Sequence, residues 1–351
     1  GHSKEFFLRR YPHITRPTEE TCSWTYVILE NGDIVSHVGL YPIETTVAGV
    51  SLNIGGIGGV STALKARGKG YMTRLMNHII NEMRRIGYPV SWLSGDRQRY
   101  GSFGYDSASQ LYQMTFTRRS LEWHKVESIA VEEVMGDEAL DTVRTYFTKQ
   151  VCFARRPHLE RHLQRTDLRF FVTEGGYAVL AGQDRQHIHI LELVSTTGNE
   201  ERIIKALINW NHGESADWSL SLWDKSRLTR LSPLASYIRS GFNGMYRIND
   251  LTGLLLAAKP VMAMHASALR DFDISIGIVE RDRTQVTTIS VKNGELAISP
   301  GGHTAKYVEL SPTSAVRLFL GGLPIPEQSL FPSGLILLLP VPAYVMPWDQ
   351  V

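Results

Sequence analysis

Apolar residues recur at spacings of three and four residues along the stretch 72–83, and charged or amide side chains fill the positions between them. This spacing is typical of an amphipathic helix with one buried face. Gly87 follows the stretch and predicts the end of the helix, because glycine readily adopts the left-handed conformation of a helix C-terminus. The apolar run at residues 90–93 then predicts a strand.

Alternating apolar and polar positions predict a mostly antiparallel sheet before this helix. Residues 24–29 and 34–41 form two such runs, and Asn31-Gly32 between them predicts a tight hairpin. Residues 47–54 predict a further strand, and residues 111–116 predict a strand after the helix. The first region therefore combines a sheet with one strongly marked helix.

The remaining chain alternates helix and strand patterns and predicts an α+β protein. A polar stretch at 118–128 is the expected linker. After it, helices are predicted at 137–149, 158–164, 199–212, 251–269 (with Pro260 inside) and 313–320, and strands at 170–173, 177–180, 187–194, 218–222, 274–279, 287–291 and 295–298. The apolar run at 335–346 is short and proline-rich, which favours a buried strand over a membrane span. A chain of 351 residues has room for three domains, predicted at 1–119, 126–244 and 245–351.

A glycine-rich segment carries the most specific signal for function. The run Gly55-Gly56-Ile57-Gly58-Gly59 predicts a strand with few side chains, and a basic glycine loop, Lys65-Ala66-Arg67-Gly68-Lys69-Gly70, leads into the predicted helix. Free backbone N–H groups at a helix N-terminus bind phosphate groups. The loop fits neither a Walker sequence nor a complete dinucleotide fingerprint. The alternative interpretation is that the glycines only allow close packing of helix on sheet.

The loop resembles the acetyl-coenzyme A loop of GNAT acetyltransferases, whose pattern is Gln/Arg-x-x-Gly-x-Gly/Ala. Lys65 stands at the first position of that pattern and departs from it. The segment from Tyr100 to Tyr105, Tyr-Gly-Ser-Phe-Gly-Tyr, resembles the enhanced-intracellular-survival (Eis-like) branch of the GNAT proteins. The resemblance implies an N-terminal GNAT domain at 1–119, a degenerate GNAT-like domain at 126–244 and a sterol-carrier-like domain at 245–351.

The resemblance also implies an activity. It is an N-acetyltransferase reaction that moves an acetyl group from acetyl-CoA, the cosubstrate, directly to a primary amine in a ternary complex. The implied cofactor-binding residues are Ile57, Gly58, Gly59 and Val60 along the pantetheine arm and Lys65, Ala66, Arg67, Gly68, Lys69, Gly70 and Tyr71 at the pyrophosphate. The family further implies a homo-oligomer, with a hexamer as one form. The runner-up function is a non-catalytic CoA- or lipid-binding protein on the same scaffold.

Acetyl transfer to an amine needs a general acid and a general base. By resemblance Tyr100 is the acid that protonates the leaving thiolate, and Tyr105 is its rival; either could instead be a core tyrosine. The sequence leaves the base open among Asp96, Glu44, His37 and His78. The resemblance implies instead the C-terminal carboxylate, which here belongs to Val351. The proline-rich tail before Val351 predicts a docked, extended segment.

Composition narrows the partners. A formal net charge of +2 disfavours a dedicated nucleic-acid surface. The two cysteines, Cys22 and Cys152, form no disulfide framework, and no His/Cys/Glu spacing typical of a metal site is evident, so no metal is expected. These features predict a cytoplasmic protein without a membrane partner. The expected acceptor is a small-molecule or lysine-containing amine.

Overall fold

The computed structural model describes residues 4–182, 186–302 and 304–351. The chain divides into two compact units. The glycine-strand unit comprises Cys22–Ser109, Phe242–Val345 and Gln350–Val351. The central unit comprises the residues up to Thr21, Gln110–Gly241 and Met346–Asp349. The division into domains at 1–119, 126–244 and 245–351 stays a prediction.

Helices and strands alternate along the described residues. The helices are α1 (Lys4–Arg10), α2 (Pro12–Thr15), α3 (Glu19–Ser23), α4 (Tyr71–Ile86), α5 (Arg97–Gly101), α6 (Arg118–Trp123), α7 (Gly136–Tyr146), α8 (Leu159–His162), α9 (Glu200–Trp210), α10 (Lys225–Leu231), α11 (Leu251–Ala266), α12 (Pro312–Leu320) and α13 (Ser333–Leu337). The strands are β1 (Thr25–Glu30), β2 (Asp33–Val47), β3 (Val50–Thr62), β4 (Val90–Leu93), β5 (Asp106–Thr117), β6 (Glu132–Val134), β7 (Cys152–Arg155), β8 (Leu168–Thr173), β9 (Gly176–Ala181), β10 (His187–Ser195), β11 (Ser215–Ser221), β12 (Tyr237–Ile248), β13 (Phe272–Val279), β14 (Thr284–Lys292), β15 (Glu295–Pro300) and β16 (Tyr307–Leu310). None of the helices within these ranges is long and apolar enough to span a bilayer.

The glycine-strand unit contains two sheets with helices packed on them. The first runs in the order β1-β2-β3-β4-β12, and the second in the order β15-β14-β13-β16. Helix α4 covers one face of the first sheet with the buried face that its apolar spacing predicts. Helix α11 belongs to the hydrophobic cluster that joins the other face to the second sheet. Pro260 lies inside α11, and the helix continues through it.

Two tight turns set the long strands of the first sheet. The predicted Asn31-Gly32 hairpin is confirmed, with φ of 52° and 85°. The predicted break between strands 34–41 and 47–54 is wrong, because β2 continues to Val47 and the chain turns at Ala48 and Gly49, with φ of 47° and 84°. An Ala-Gly pair is a weaker hairpin signal than Asn-Gly, which explains the error.

Two other sequence expectations are corrected by the structure. The predicted linker at 118–128 contains α6, because Thr117 and Ser120 form a reciprocal capping box that starts a helix there. The predicted buried strand at 335–346 is absent from the described chain. Helix α13 ends at Leu337. The segment after it is buried but pairs with no strand. Its prolines have no N–H to donate to a strand partner.

The central unit contains a run of six neighbouring strands. Its strand order is β5-β11-β10-β9-β8-β6, in which β10 and β11 are parallel and the other neighbours described are antiparallel. Helix α9 packs on this sheet through Ile203, Ile204 and Leu207. The helices and strands predicted between 137 and 222 are all found, with ends shifted by a few residues.

A buried charge cluster holds the segment Met346–Asp349 in the central unit. The Arg156 guanidinium donates to both oxygens of Asp349, each at 2.7 Å, and to both oxygens of Glu192. It also stacks 4.1 Å from the ring of fully buried Trp348. Burial alone would raise the pKa of the Asp349 carboxyl, but the charge and hydrogen bonds of Arg156 outweigh it and hold that pKa well below its usual value.

We expect Asp349→Ala to lower the free energy of unfolding by about 1–3 kcal/mol, because it leaves buried Arg156 donors without an acceptor. The depressed pKa of Asp349 contributes stability above about pH 4, and this contribution is lost as the pH falls. The acid limb of a stability-versus-pH curve should therefore be shallower in the variant. Urea unfolding between pH 3 and pH 7 measures both effects.

Glu127→Ala is the control, because this side chain is 84 % exposed, and it should change the free energy of unfolding by less than about 0.5 kcal/mol. Equal losses of stability in the two variants would contradict this account.

Candidate functional site

The pairing between β3 and β4 stops halfway along β3. The last parallel pair is Ile57 with Leu93, while β3 continues to Thr62. Strand β4 ends there because the chain turns at Ser94–Gly95 and Asp96 then caps α5 by accepting a hydrogen bond from the Gln98 amide. From Gly58 onward, the edge of β3 that faced β4 can therefore pair with an extended ligand, as a strand would.

A β-bulge lies at this opening. His37 pairs with Ser61 and Gly39 with Gly58, so two residues of β3 oppose one residue of β2. Gly59, in the bulge, has a φ of 62°, which glycine adopts more readily than residues with a side chain. The His37 Nδ1 atom is 2.8 Å from the Gly59 carbonyl oxygen, and because a carbonyl only accepts, Nδ1 carries the proton.

The last residue of the chain lies directly over the glycines of β3. A Cβ atom built on Gly58 would be 3.1 Å from the carboxyl carbon of Val351 and 3.1 Å from Cε2 of Tyr41. A Cβ atom on Gly56 would be 2.8 Å from Cγ2 of Val351. A larger residue at Gly58 would crowd the carboxyl group of Val351, and one at Gly56 would crowd the side chains of Ile43 and Val351. The missing side chains of Gly56 and Gly58 therefore leave the space that Val351 occupies.

The opposite face of β3 packs under helix α4. A Cβ atom on Gly55 would be 2.6 Å from the sulfur of Met83. Ile57 lies in the same hydrophobic cluster as Leu93 and Tyr100, whereas Val351 packs against the cluster on the α11 side. Tyr100 and Val351 therefore lie on opposite faces of β3.

The N-terminus of α4 has the features of an anion site. Gly70 is its N-cap residue with φ of 74°, no side chain caps the first turn, and the first turn carries no acidic residue. Gly68 also has a positive φ, of 79°. The first backbone N–H groups of α4 therefore point outward without a side-chain acceptor among the described residues. Such an end suits a pyrophosphate.

The basic residues of the loop are partly neutralised by the β1–β2 hairpin. Lys65 Nζ lies 2.6 Å from the Asp33 carboxylate, and Lys69 Nζ lies 2.7 Å from the Glu30 carboxylate. Tyr71 donates its hydroxyl to the same Glu30 at 3.0 Å. These side chains are exposed or half-exposed, so the pairs are weak and can rearrange around a phosphate.

The two candidate acids have different surroundings. The Tyr105 hydroxyl is fully buried and 2.8 Å from the Ser91 hydroxyl, and burial raises the pKa of Tyr105 to about 12. Tyr105 therefore has the contacts of a core tyrosine. Burial also raises the pKa of Tyr100, while nearby Arg99 lowers it. Tyr100 follows the turn at the end of β4 and is buried in the same cluster as Tyr105.

The four internal base candidates are spread over the unit. Asp96 is engaged as the cap of α5, and His78 is exposed on α4 with its ring 5.7 Å from that of Tyr26. Glu44 is exposed on β2 opposite Asn53, five positions along β3 from Gly58. Of the base candidates, all of which lie in the described part of the chain, His37 and Val351 are beside Gly59 and Gly58.

Sequence reasoning missed the residues that hold the tail. Asn243 donates to the Val345 carbonyl at 2.9 Å and accepts from the Val345 amide at 2.8 Å, so its side chain acts as a strand partner. The Ser109 hydroxyl donates to the Ala343 carbonyl at 2.6 Å. No local pattern marks a lone Asn or Ser for such a role, since their partners lie 102 and 234 residues away.

Comparison with known proteins agrees with this geometry. Residues 4–108 match the family model described as an acetyltransferase (GNAT) domain. No curated protein sequence matches the chain. Among solved structures, a GCN5-related N-acetyltransferase from Kribbella flavida is 16% identical with a TM-score of 0.69, covering 98% of this chain and 91% of that chain. A GCN5-related N-acetyltransferase from Anabaena variabilis is 17% identical with a TM-score of 0.66, covering 98% and 97%.

A third similar structure is Eis1 from Mycobacterium abscessus, 13% identical with a TM-score of 0.63, covering 91% of this chain and 86% of that chain. At these identities the structures show the fold. The GNAT part of the predicted resemblance is therefore confirmed, and the mixed α/β chain has the GNAT fold. The Eis-like assignment and the sterol-carrier-like assignment of residues 245–351 stay predictions.

Proposed function

We propose that this chain is an acetyl-CoA-dependent N-acetyltransferase that transfers an acetyl group directly to a primary amine in a ternary complex. The observation that carries the proposal is the open edge of β3 beyond Ile57, followed by the glycine loop and the uncapped N-terminus of α4. A strand edge and a helix N-terminus in this order fit the two halves of coenzyme A. The first is a peptide-like arm and the second a pyrophosphate.

Each half of the ligand has its own set of residues in this proposal. The pantetheine amides pair with the main chain of Ile57, Gly58, Gly59 and Val60. The pyrophosphate accepts from the N–H groups of the segment 67–71, and the adjacent lysines contribute charge once they leave Asp33 and Glu30. Because both hairpin pairs are exposed, exchanging a carboxylate for a phosphate costs little.

The chemical step then uses the groups around the bulge. The amine nitrogen attacks the thioester carbonyl carbon, and an N–H near Val60 donates to the oxygen that becomes negative. The carboxylate of Val351 accepts the proton from the amine nitrogen. The carbon–sulfur bond breaks, and Tyr100 donates its proton to the leaving thiolate. His37 is the remaining candidate base, because its Nε2 atom is free to accept once Nδ1 donates to Gly59.

The wider proposals follow the family resemblance. The acceptor is a small-molecule or lysine-containing amine, and the protein is a homo-oligomer of Eis-like organisation. Its second domain is a degenerate copy that no longer binds acetyl-CoA, and its third domain is sterol-carrier-like. Similarity to the Mycobacterium abscessus structure supports the organisation at the level of fold.

Thiol release from acetyl-CoA tests the proposal as a whole. Purified protein is offered a polyamine, an aminoglycoside and a lysine-containing peptide, and free CoA is measured with a thiol reagent. The proposal expects amine-dependent release and a mass increase of one acetyl group on at least one acceptor. Tight CoA binding without turnover on any amine would favour the non-catalytic CoA-binding protein instead.

Gly70→Val should weaken CoA binding at least tenfold, because a β-branched residue strains the left-handed backbone and reorients the first N–H groups of α4. Gly87→Val is a matched control at the other end of the same helix. Gly87 has φ of 84° and, like Gly70, open space around its Cβ position. Calorimetry should therefore show a similar loss of stability in both variants and a loss of CoA affinity only at Gly70. Equal CoA affinities would contradict the assigned pyrophosphate site.

Tyr100→Phe should lower kcat by roughly 10²–10⁴-fold while leaving the Kd for acetyl-CoA nearly unchanged, since it removes only the proton for the thiolate. Tyr105→Phe breaks the buried bond to Ser91 and should cost stability without a comparable loss of kcat. Steady-state kinetics beside thermal unfolding separates the two. Wild-type turnover in Tyr100→Phe would move the acid elsewhere.

Replacing the terminal carboxylate of Val351 by a carboxamide should lower kcat by roughly 10²–10⁴-fold and spare CoA binding. Expressed protein ligation provides both forms, so the ligated carboxylate is the control and every side chain of the tail is retained. Deleting the last four residues is a poorer test, because it also removes the buried side chains of Trp348 and Asp349. An amide form with full activity would return the role of base to His37.

A further inference from the structure

Two histidines and a carboxylate meet on one face of the sheet in the central unit. His187 and His189 are two residues apart on β10, so they point to the same side of the strand. Asp217, on the parallel neighbour β11, stands in register with His189. One ligand atom from each of the three side chains lies within 4.8 Å of the other two. His189 is exposed, so the cluster opens to solvent in this chain.

The distances within the cluster fit a tetrahedral ion. The His187 Nε2 atom is 3.2 Å from an Asp217 oxygen. Two ligands bound to zinc at roughly 2.0–2.1 Å in tetrahedral geometry stand about 3.3 Å apart. The rings of His187 and His189 have their centroids 4.6 Å apart. A small rotation of exposed His189 is therefore enough to complete a three-ligand set.

The surrounding hydrogen bonds orient these ligands. The His187 Nδ1 atom lies 2.7 Å from the Ser215 hydroxyl, a contact that fixes the orientation of the imidazole ring. Thr115 donates to the other Asp217 oxygen at 2.5 Å, and Gln113 donates to the first at 2.9 Å. Metal-binding histidines and carboxylates characteristically have such outer partners.

We propose that His187, His189 and Asp217 form a binding site for a divalent transition-metal ion, with Zn²⁺ as the best fit. Two imidazoles and one carboxylate suit zinc, whereas Mg²⁺ and Ca²⁺ prefer all-oxygen sites. The three protein ligands leave a fourth position for water. The site uses none of the residues assigned to acetyl transfer, so the two proposals can be tested independently.

The sequence alone did not reveal this site. The His-x-His pair on a predicted strand is a weak signal, and the third ligand comes 28 positions after His189 on another strand. Only the parallel pairing of β10 with β11 brings Asp217 beside the histidines. An ion pair between His187 and Asp217 would explain their contact. It would not explain why a second histidine shares the cluster.

Titration of the metal-free, tag-free full chain with ZnCl₂ in a calorimeter tests the proposal. We expect one equivalent bound at this site and a rise in Tm with zinc. Co²⁺ in place of zinc should give the intense visible bands of a four-coordinate site. Removing Ser215 Oγ by Ser215→Ala should weaken zinc binding by roughly 10-fold.

The decisive variant is His189→Ala, because its side chain is exposed and its loss leaves the Asp217 contacts intact. It should abolish this binding event and the cobalt bands, while the matched exposed variant His265→Ala should leave both unchanged. Asp217→Asn is a second test: it keeps the shape of the side chain but removes the carboxylate, and it should also weaken zinc binding. If His189→Ala and Asp217→Asn both bind zinc as the wild type does, the ion lies elsewhere and the proposal is wrong.

Discussion

The separation of β3 from β4 after the Ile57–Leu93 pair is the constraint on which the candidate site depends. Gly59 to Thr62 are exposed or half-exposed, so the main chain of β3 beyond this pair is open to solvent and to an added strand. The bulge at Gly59 and the turn after Leu93 fix where the interruption falls. The glycine content of β3 then leaves room beside its main chain. Binding of an extended ligand is the simplest use of such a gap.

The C-terminal tail is the second feature that the account needs. Val351 lies over Gly56 and Gly58 without a side chain between them. Within the glycine-strand unit the preceding segment is held by Asn243 and Ser109, and within the central unit Met346–Asp349 is held by Arg156. Buried hydrogen bonds and ion pairs of this kind fix a position more than they add stability.

The sequence predicted the parts of the fold that local rules determine. The stripe of α4, its end at Gly87 and the Asn31-Gly32 turn follow from helical periodicity and from backbone conformations that few residues adopt. The sequence-based prediction of a strand at 335–346 was wrong, because the proline-rich apolar run after Leu337 is buried without pairing to a strand. Prediction also failed at the Ala48-Gly49 turn, where the residue types carry little signal.

The candidate site divides in the same way. The glycine loop is contiguous, so its spacing alone pointed to a phosphate. The contacts of Val351 with Gly58, of Arg156 with Asp349 and of His189 with Asp217 join residues far apart in the chain. Such contacts depend on strand order and register, which no local pattern specifies. For Val351 the prediction rested on the family resemblance and on the proline-rich tail before it.

A crystal structure of the chain with CoA tests the central claim most directly. The account predicts that the pantetheine amides pair with the main chain of β3 beyond Ile57, with the pyrophosphate on the first turn of α4. The sulfur should lie where β3 and β4 separate, between Tyr100 and the carboxylate of Val351. CoA bound outside this gap, or a thiol remote from both groups, would contradict the account.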